Sequence, residues 1–487
     1  MKEMSIKKAT ILNAISKYAI VAWNLLLTVI LARLLSPEDY GVVAVATVFT
    51  VFFSVFADMG LGAGIIQNKN LVCEDISDIF GFTIYLAIVF GTLFWLFSFP
   101  LSRFYENQVY QSIGFLLALT LCFSTLNTVP NALMLKDKQF VKVAIRNIIV
   151  PIVTGAIAVF LALNGWKYYS LVFQSLLTSL FTFVWNFATA KKLYGLKLKL
   201  VPNFQGVRKI LTFSFYQFAF SIINYFSRNL DNLLISKYMG EKSLGYYDKA
   251  YKLMLYPISN LTHVITPVLH PILSEHQKDK TLIYTKYLKV VKFLSIIGVF
   301  ISLFCFLAAR EIILIMFGEK WIAVVPCFRV LSLSVWGQMI TASTGSIFQS
   351  VGQTKLLFKT GLINTLISVV AIIVGINSGT IVGVAICVVI AYQLHCVISF
   401  YILIRNGLEA NFFNFCKELS VDVIIFAVLI VFCIIYPFSS IGKNVWIILL
   451  IKMCYVGVPF CLSLFITKRY KDLFFVLIRK KDSETRK

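Results

Sequence analysis

About fourteen apolar runs, each near the length of a membrane-crossing helix, follow one another along this chain and leave no stretch long enough for a soluble domain. A helix rises about 1.5 Å per residue, so about 20 apolar residues cross the hydrocarbon core. The runs fall at 11–33, 42–66, 77–100, 112–135, 143–163, 168–189, 210–236, 250–273, 287–309, 322–350, 356–376, 380–404, 420–438 and 444–467. The second and tenth are among the longest and are expected to tilt or break. Backbone groups in lipid must be bonded within their own segment, so the predicted fold is an all-α integral membrane bundle. Composition agrees: 59% of the 487 residues are hydrophobic and 14% charged, against about 25% charged in soluble domains.

The net charge of +23 would suit nucleic acid if it formed one face of a soluble domain. Here the lysines and arginines sit in short segments between apolar runs. With the N-terminus cytoplasmic, about 31 of the 45 basic residues fall inside and about 10 outside, as the positive-inside rule requires. This places both termini inside and no nucleic acid among the partners. The segment Lys237–Lys252, an outside loop carrying four lysines, runs against the pattern. The first run is too long for a cleavable signal and reads as a retained anchor. The ten cysteines are scattered without a CxxC pair and read as small hydrophobes, giving no disulfide, metal site or cofactor.

Two regions repeat. Arg33-Leu-Leu-Ser-Pro-Glu-Asp-Tyr-Gly41 after the first run aligns without a gap to Lys237–Gly245 after the seventh, at an offset of 204. Farther on, Phe140-Val-Lys142 through Asn147 is similar to Leu357-Phe-Lys359 through Asn364, at an offset of 217. Ordered matches at equivalent topological positions predict two parallel six-helix repeats, a transporter architecture, with two further C-terminal helices. The division that follows is a first lobe over 1–190, an interfacial linker over 191–209 and a second lobe over 210–404. Two appended spans occupy 405–467, and a basic cytoplasmic tail 468–487. The tail segment Arg469–Lys481 is amphipathic and is expected to lie on anionic headgroups.

The residues Arg33, Pro37, Asp39, Tyr40 and Gly41, the glycines after Asp58, and Arg228-Asn-Leu-Asp231 leading to Gly245 and Tyr246 carry a resemblance. They resemble the bacterial polysaccharide flippases of the multidrug/oligosaccharidyl-lipid/polysaccharide exporter superfamily. The resemblance implies two helical lobes around a central cavity that opens alternately to cytoplasm and periplasm. It implies an undecaprenyl-diphosphate-linked oligosaccharide as cargo, moved across the inner membrane for O-antigen, capsule or exopolysaccharide assembly. Membrane lipids, and a polymerase or other assembly proteins, are the implied partners.

Charges inside a membrane are costly and usually face a cavity, and a diphosphate-linked sugar needs cations and amides there. Lys17 and Asn24 share one face of the first span. Lys17 either contacts diphosphate or snorkels to the headgroups. Asn224, Arg228 and Asn232 form a stripe on the seventh span, with Asp231 three residues from Arg228. They form either a wet, anion-binding wall or a self-neutralising helix pair. At the repeat offset Arg228 aligns with Asn24. Asp58 either couples a proton or cation or caps a bend before Gly60. His263, between Pro257 and Pro267, is either a pH-sensitive gate or a bonded core histidine. Arg329 belongs to the outer part of the tenth span, as a further cargo contact. Lys452 is expected to snorkel or pair locally.

No P-loop, HExxH, GxSxG or metal-spaced cluster occurs, so the chain reads as a transporter rather than an enzyme, with energy from a gradient or from removal of cargo. A cation-coupled multidrug exporter of the same superfamily is the alternative. A membrane glycosyltransferase or polymerase is disfavoured, because the outside loops are too short for a catalytic domain.

Overall fold

The computed structural model describes residues 6–68, 71–196, 199, 207–208, 225, 229–274, 277, 279–435 and 444–472, and the side chains of all of these except 6–18 and 263–272. The described residues separate into two compact units, Met1–Gly245 and Tyr246–Lys487.

The first unit begins with α1 (Ile6–Leu34), α2 (Pro37–Asp58), α3 (Leu61–Gln67) and α4 (Cys73–Tyr105). It continues with α5 (Val109–Leu126), α6 (Thr128–Lys136), α7 (Phe140–Leu163) and α8 (Tyr168–Tyr194). Residues 229–239 are helical, and α9 (Glu241–Ser274) follows at once. The second unit adds α10 (Lys280–Leu307), α11 (Ala309–Met316), α12 (Val324–Ser332), α13 (Val335–Thr341) and α14 (Thr344–Ser350). It ends with α15 (Thr354–Ile376), α16 (Ile381–Tyr401), α17 (Phe412–Ile435) and α18 (Val445–Ile466).

Among the described residues, ten segments are long and apolar enough to cross a membrane, and eleven if the pair Val324–Ser332 and Val335–Ser350, bent by 44°, is one span. The seventh expected run lies largely outside the described residues. α15, α17 and α18 show long apolar stripes on their outer faces, with Leu366, Val428 and Leu450 each about 60% exposed. Water would penalise such stripes, and lipid tails do not.

The second and tenth runs both break. The second ends its helix at Asp58, and Met59 (φ 43°) and Gly60 (φ 72°) turn through left-handed backbone into α3. The tenth divides into α12, α13 and α14. α4 and α5 approach closely because small residues meet: a Cβ on Gly91 would overlap Cys122 Sγ. Small residues are how membrane helices gain packing without a hydrophobic driving force.

Two helix ends, one in each unit, share a local geometry. At the end of α6, Gln139 N donates to Met134 O (2.9 Å) and Lys138 N to Leu135 O (3.1 Å), with Lys138 at φ 55°. At the end of α14, Gln353 N donates to Phe348 O (2.8 Å) and Gly352 N to Gln349 O (3.0 Å), with Gly352 at φ 71°. Both are Schellman turns, and each hands the chain to a glutamine that precedes a long apolar helix, α7 or α15.

The two C-terminal helices are more than an appendage. Ile425, Leu429, Cys433, Val456, Phe460 and Leu464 share a buried cluster with Ile296, Val299, Leu303 and Leu307 of α10. Lys452, expected to snorkel or pair locally, instead pairs with Glu311 of α11 at 2.7 Å in a buried site. Arg469, expected on the membrane surface with the tail, is buried against α17, where it meets Asp422 at 3.1 Å and the Glu418 carbonyl. Three acceptors near one guanidinium, with Asp472 the third at 3.2 Å, outweigh its hydration at a surface. Residues 473–487 lie outside the described residues.

Candidate functional site

The signature segment is a helix start. Ser36 caps α2 with a reciprocal box: Asp39 N donates to Ser36 Oγ at 3.1 Å, and Ser36 N donates to Asp39 Oδ2 at 2.9 Å. Pro37 occupies the first helical position, where its missing N–H costs nothing. The other oxygen of Asp39 accepts from Tyr168 N at 3.1 Å, which ties the start of α8 to the start of α2. Tyr40 packs against the cluster of Leu27, Leu31, Leu35, Ala158 and Ala162, whereas Arg33 is exposed in the last turn of α1.

The repeat-related helix starts of α2 and α9 touch, and they do so reciprocally. A Cβ on Gly41 would overlap the Glu241 carbonyl, and one on Gly245 would overlap the Pro37 carbonyl. Pro37 and Glu241 are repeat equivalents, as are Gly41 and Gly245, so each glycine receives the other repeat's first residue. A self-complementary contact of this kind is what two-fold related surfaces make. Glu241 fastens the contact: its carboxylate accepts from Asn107 Nδ2 at 2.9 and 3.0 Å and from the Tyr110 hydroxyl at 2.6 Å. Nearby, Lys237 Nζ donates to Phe104 O at 2.5 Å and lies 4.2 Å from that residue's ring centre, and Tyr105 donates to Leu233 O at 3.3 Å.

These contacts correct the reading of 237–252 as a loop. It is helical apart from Gly240, at φ 82°, and three of its four lysines have partners. Lys252 pairs with Asp248 at 2.8 Å, and buried Lys249 lies 5.6 Å from the Phe317 ring centre and 5.9 Å from that of Trp321. Tyr246 meets Trp321 edge-on, centres 6.2 Å apart.

The expected cargo residues fall as follows. Lys17 is on α1, its side chain outside the described residues. Asn24 is exposed on the same helix, beside Trp23, whose indole donates to Pro151 O at 2.9 Å. Asn224 and Arg228 lie outside the described residues. Asp231 is buried, with Oδ1 accepting from Asn232 N at 2.9 Å, and Tyr225, six residues earlier, donates to Val48 O. Asp58 accepts from the amides of Gly60 and Gly62 and from Thr128, the geometry of a capped bend. His263 is on α9, its side chain outside the described residues. Arg329 is half-buried in α12.

Several charged groups inside spans escaped sequence reasoning, Asp78, Asp422 and Arg146 among them. Arg146, in the second turn of α7, is 7% exposed, and its partners are amides. Nη1 donates to Asn131 Oδ1 (3.0 Å) and Asn186 Oδ1 (2.8 Å), and Nε and Nη2 both donate to Asn147 Oδ1 (3.1 and 2.7 Å). Asn186 donates onward to Asn127 Oδ1 at 2.8 Å. The network joins α6, α7 and α8 around a cation held by dipoles, without a carboxylate partner among the described residues. The sequence signal was present: three asparagines in apolar runs, facing an arginine at a run's edge.

Comparison with known proteins places these features in a wider group. Residues 30–326, more than half of the chain, match the family described as "Polysaccharide biosynthesis protein". The chain is 23% identical over 419 residues to the lipopolysaccharide biosynthesis protein WzxC of Escherichia coli (strain K12), covering 84% of each. It is 24% identical over 368 residues to the succinoglycan biosynthesis transport protein ExoT of Rhizobium meliloti (strain 1021), covering 75% of this chain and 74% of the relative. A solved structure of the lipid II flippase MurJ, in an inward closed conformation, shares the fold. It matches with a TM-score of 0.75 and 14% identity, over 95% of this chain and 100% of that one. A multi-pass helical membrane protein whose signature helix starts fall inside the matched region, the chain belongs to the polysaccharide biosynthesis protein family.

Proposed function

We propose that this protein is a flippase that moves an undecaprenyl-diphosphate-linked oligosaccharide from the cytoplasmic to the periplasmic leaflet of the inner membrane for surface polysaccharide assembly. The observation that carries the reading is the family match over residues 30–326, joined to relatives named for lipopolysaccharide biosynthesis and succinoglycan transport over three quarters or more of the chain. The two parallel repeats act as lobes that open alternately to either side, both termini being cytoplasmic. Lys17, Asn24, Asn224, Arg228, Asp231, Asn232 and Arg329 are the proposed cargo contacts. Asp58 and His263 are the proposed coupling or gating groups. Paired cations recognise diphosphate through charge-assisted hydrogen bonds, and amides recognise sugar hydroxyls. A polymerase takes the product on the periplasmic side.

The test is deletion of the gene, followed by spheroplast assays with a membrane-impermeant probe for lipid-linked sugars. The expected result is a diphosphate-linked repeat unit trapped on the inner leaflet, with loss of surface polymer. Normal surface polymer with new sensitivity to cationic drugs would overturn the flippase reading in favour of a drug exporter.

A further inference from the structure

An apolar groove of about 490 Å³ opens between α7 and α8 on the side of the first unit. Its walls include Ile149 and Val153 on α7 and Val184, Trp185 and Ala188 on α8, over a floor at Val150. Val150 is buried, but Ile149, Val153, Val184 and Ala188 are exposed, so the groove faces outward along an apolar surface.

The same helix faces become cationic at one end. On α7, Lys142 precedes Ile149 by seven residues and Val153 by eleven, which puts it on the groove's stripe. On α8, Lys191 and Lys192 follow Ala188 by three and four residues and continue the opposite wall. α7 and α8 are joined at Leu163–Tyr168, so the start of α7 and the end of α8 lie at the same end of the pair. Lys142, Lys191 and Lys192 have no ion-pair partner among the described residues. Lys138 adds a further positive charge at this end, and Asp137, beside the Tyr194 hydroxyl, one negative charge. The Trp185 indole N–H, within the groove, has no acceptor among the described residues.

An apolar trench between two membrane-spanning helices, with three lysines that have no ion-pair partner among the described residues in register toward one end of it, has the polarity of an anionic lipid. We infer that this groove binds an anionic phospholipid, one acyl chain between α7 and α8 and the phosphate against Lys142, Lys191 and Lys192. By the positive-inside rule the lysine end is cytoplasmic, so the lipid comes from the inner leaflet. Trp185 is placed to donate to its ester region, as tryptophans do at interfaces. Charge discriminates it from zwitterionic lipid, since each lysine near an anionic headgroup contributes about a fivefold preference. The site is independent of the cargo residues proposed above.

The experiment uses purified full-length protein, with phosphatidylglycerol and phosphatidylcholine of identical acyl chains as probes and native mass spectrometry as the readout. The expected result is preferential retention of phosphatidylglycerol. K142A/K191A/K192A lowers that retention by about tenfold or more and leaves phosphatidylcholine unchanged, whereas A188W, which fills the trench, removes both. Equal retention of the two lipids, or phosphatidylglycerol binding indifferent to either variant, overturns the site. So does a polyprenyl phosphate that displaces phosphatidylglycerol from the wild type but not from A188W, which would give the groove to the cargo's carrier instead. Circular dichroism and size exclusion on each variant separate loss of the site from loss of the fold.

Discussion

Glu311 Oε2 lies 2.7 Å from Lys452 Nζ, with both side chains more than nine-tenths buried and the ammonium also bonded to Leu307 O at 3.1 Å. The pair joins α11 to α18 across 141 residues of chain. Desolvating two charges is costly, and their attraction offsets that cost only while both are present. Lys452→Met therefore leaves a lone buried carboxylate and is expected to destabilise the protein by about 3–5 kcal/mol. Glu311→Gln combined with Lys452→Met should recover most of that loss, because no unpaired charge remains. Thermal unfolding of the four forms in one detergent measures the coupling. Additive effects would show that the two groups do not act as a pair.

The reciprocal glycines make a sharper claim. Neither Gly41 nor Gly245 tolerates a Cβ without moving the facing carbonyl of Glu241 or Pro37. Gly41→Ala and Gly245→Ala are each expected to cost about 1–3 kcal/mol by overpacking. Together they should cost less than their sum, since the first separation of the helix starts makes room for the second methyl. Melting temperatures of the two single variants and the double variant decide it, and two alanines tolerated at wild-type stability would refute the close crossing.

Arg146 tests whether amide dipoles alone hold a buried cation. Its planar fork reaches Asn131, Asn186 and Asn147 at once, which lysine cannot do. Arg146→Lys is expected to lose about 1–3 kcal/mol despite keeping its charge, and Asn186→Ala a similar amount by unsatisfying both Arg146 and Asn127. Arg146→Lys at full stability, read by thermal unfolding, would mean that charge rather than hydrogen-bond geometry maintains the junction.

The apolar runs were legible because lipid imposes a length of about 20 residues on every span. The break after Asp58 was legible too, since a run of that length ends in Gly60, Gly62 and Gly64. What stayed hidden is pairing over long separations. The signature Ser36–Gly41 was visible as a pattern, but not as a capping box whose aspartate holds Tyr168, 129 residues away. Arg146 looked like a loop charge because it stands near the edge of a run, and only folding surrounds it with asparagines from α6 and α8. Lys452 gave no local sign of Glu311. Periodicity reports which face is apolar and is silent on which polar group of another helix lies across it. The lysines of 237–252 opposed the charge rule for the same reason: Asp248 is a local partner, but Phe104, Phe317 and Trp321 come from distant segments.

Asp39 serves two helices, and its replacements separate those duties. Asp39→Asn keeps an oxygen that can accept from either Ser36 N or Tyr168 N, but not from both with equal geometry. Asp39→Ala loses the box and the tie to α8. The cap alone is worth about 0.5–2 kcal/mol, so alanine is expected to fall at or above the top of that range and asparagine near its middle. Equal losses, measured by thermal unfolding, would show that the one bond asparagine can keep contributes nothing.

The functional prediction rests on Arg228, a proposed contact for the cargo's diphosphate. A diphosphate is bound by charge and by directed donors, and arginine supplies both in a rigid fork. Arg228→Ala is expected to abolish polymer export while the protein remains at normal level in the membrane. Arg228→Lys should retain a fraction of export, because a point charge still attracts the anion without fixing its orientation. Surface polymer, quantified against immunoblotted membrane protein, reads both variants. Export that falls only in proportion to protein level, or an alanine variant that exports normally, would reduce Arg228 to a structural partner of Asp231 and leave cargo recognition to Lys17, Asn24 and Arg329.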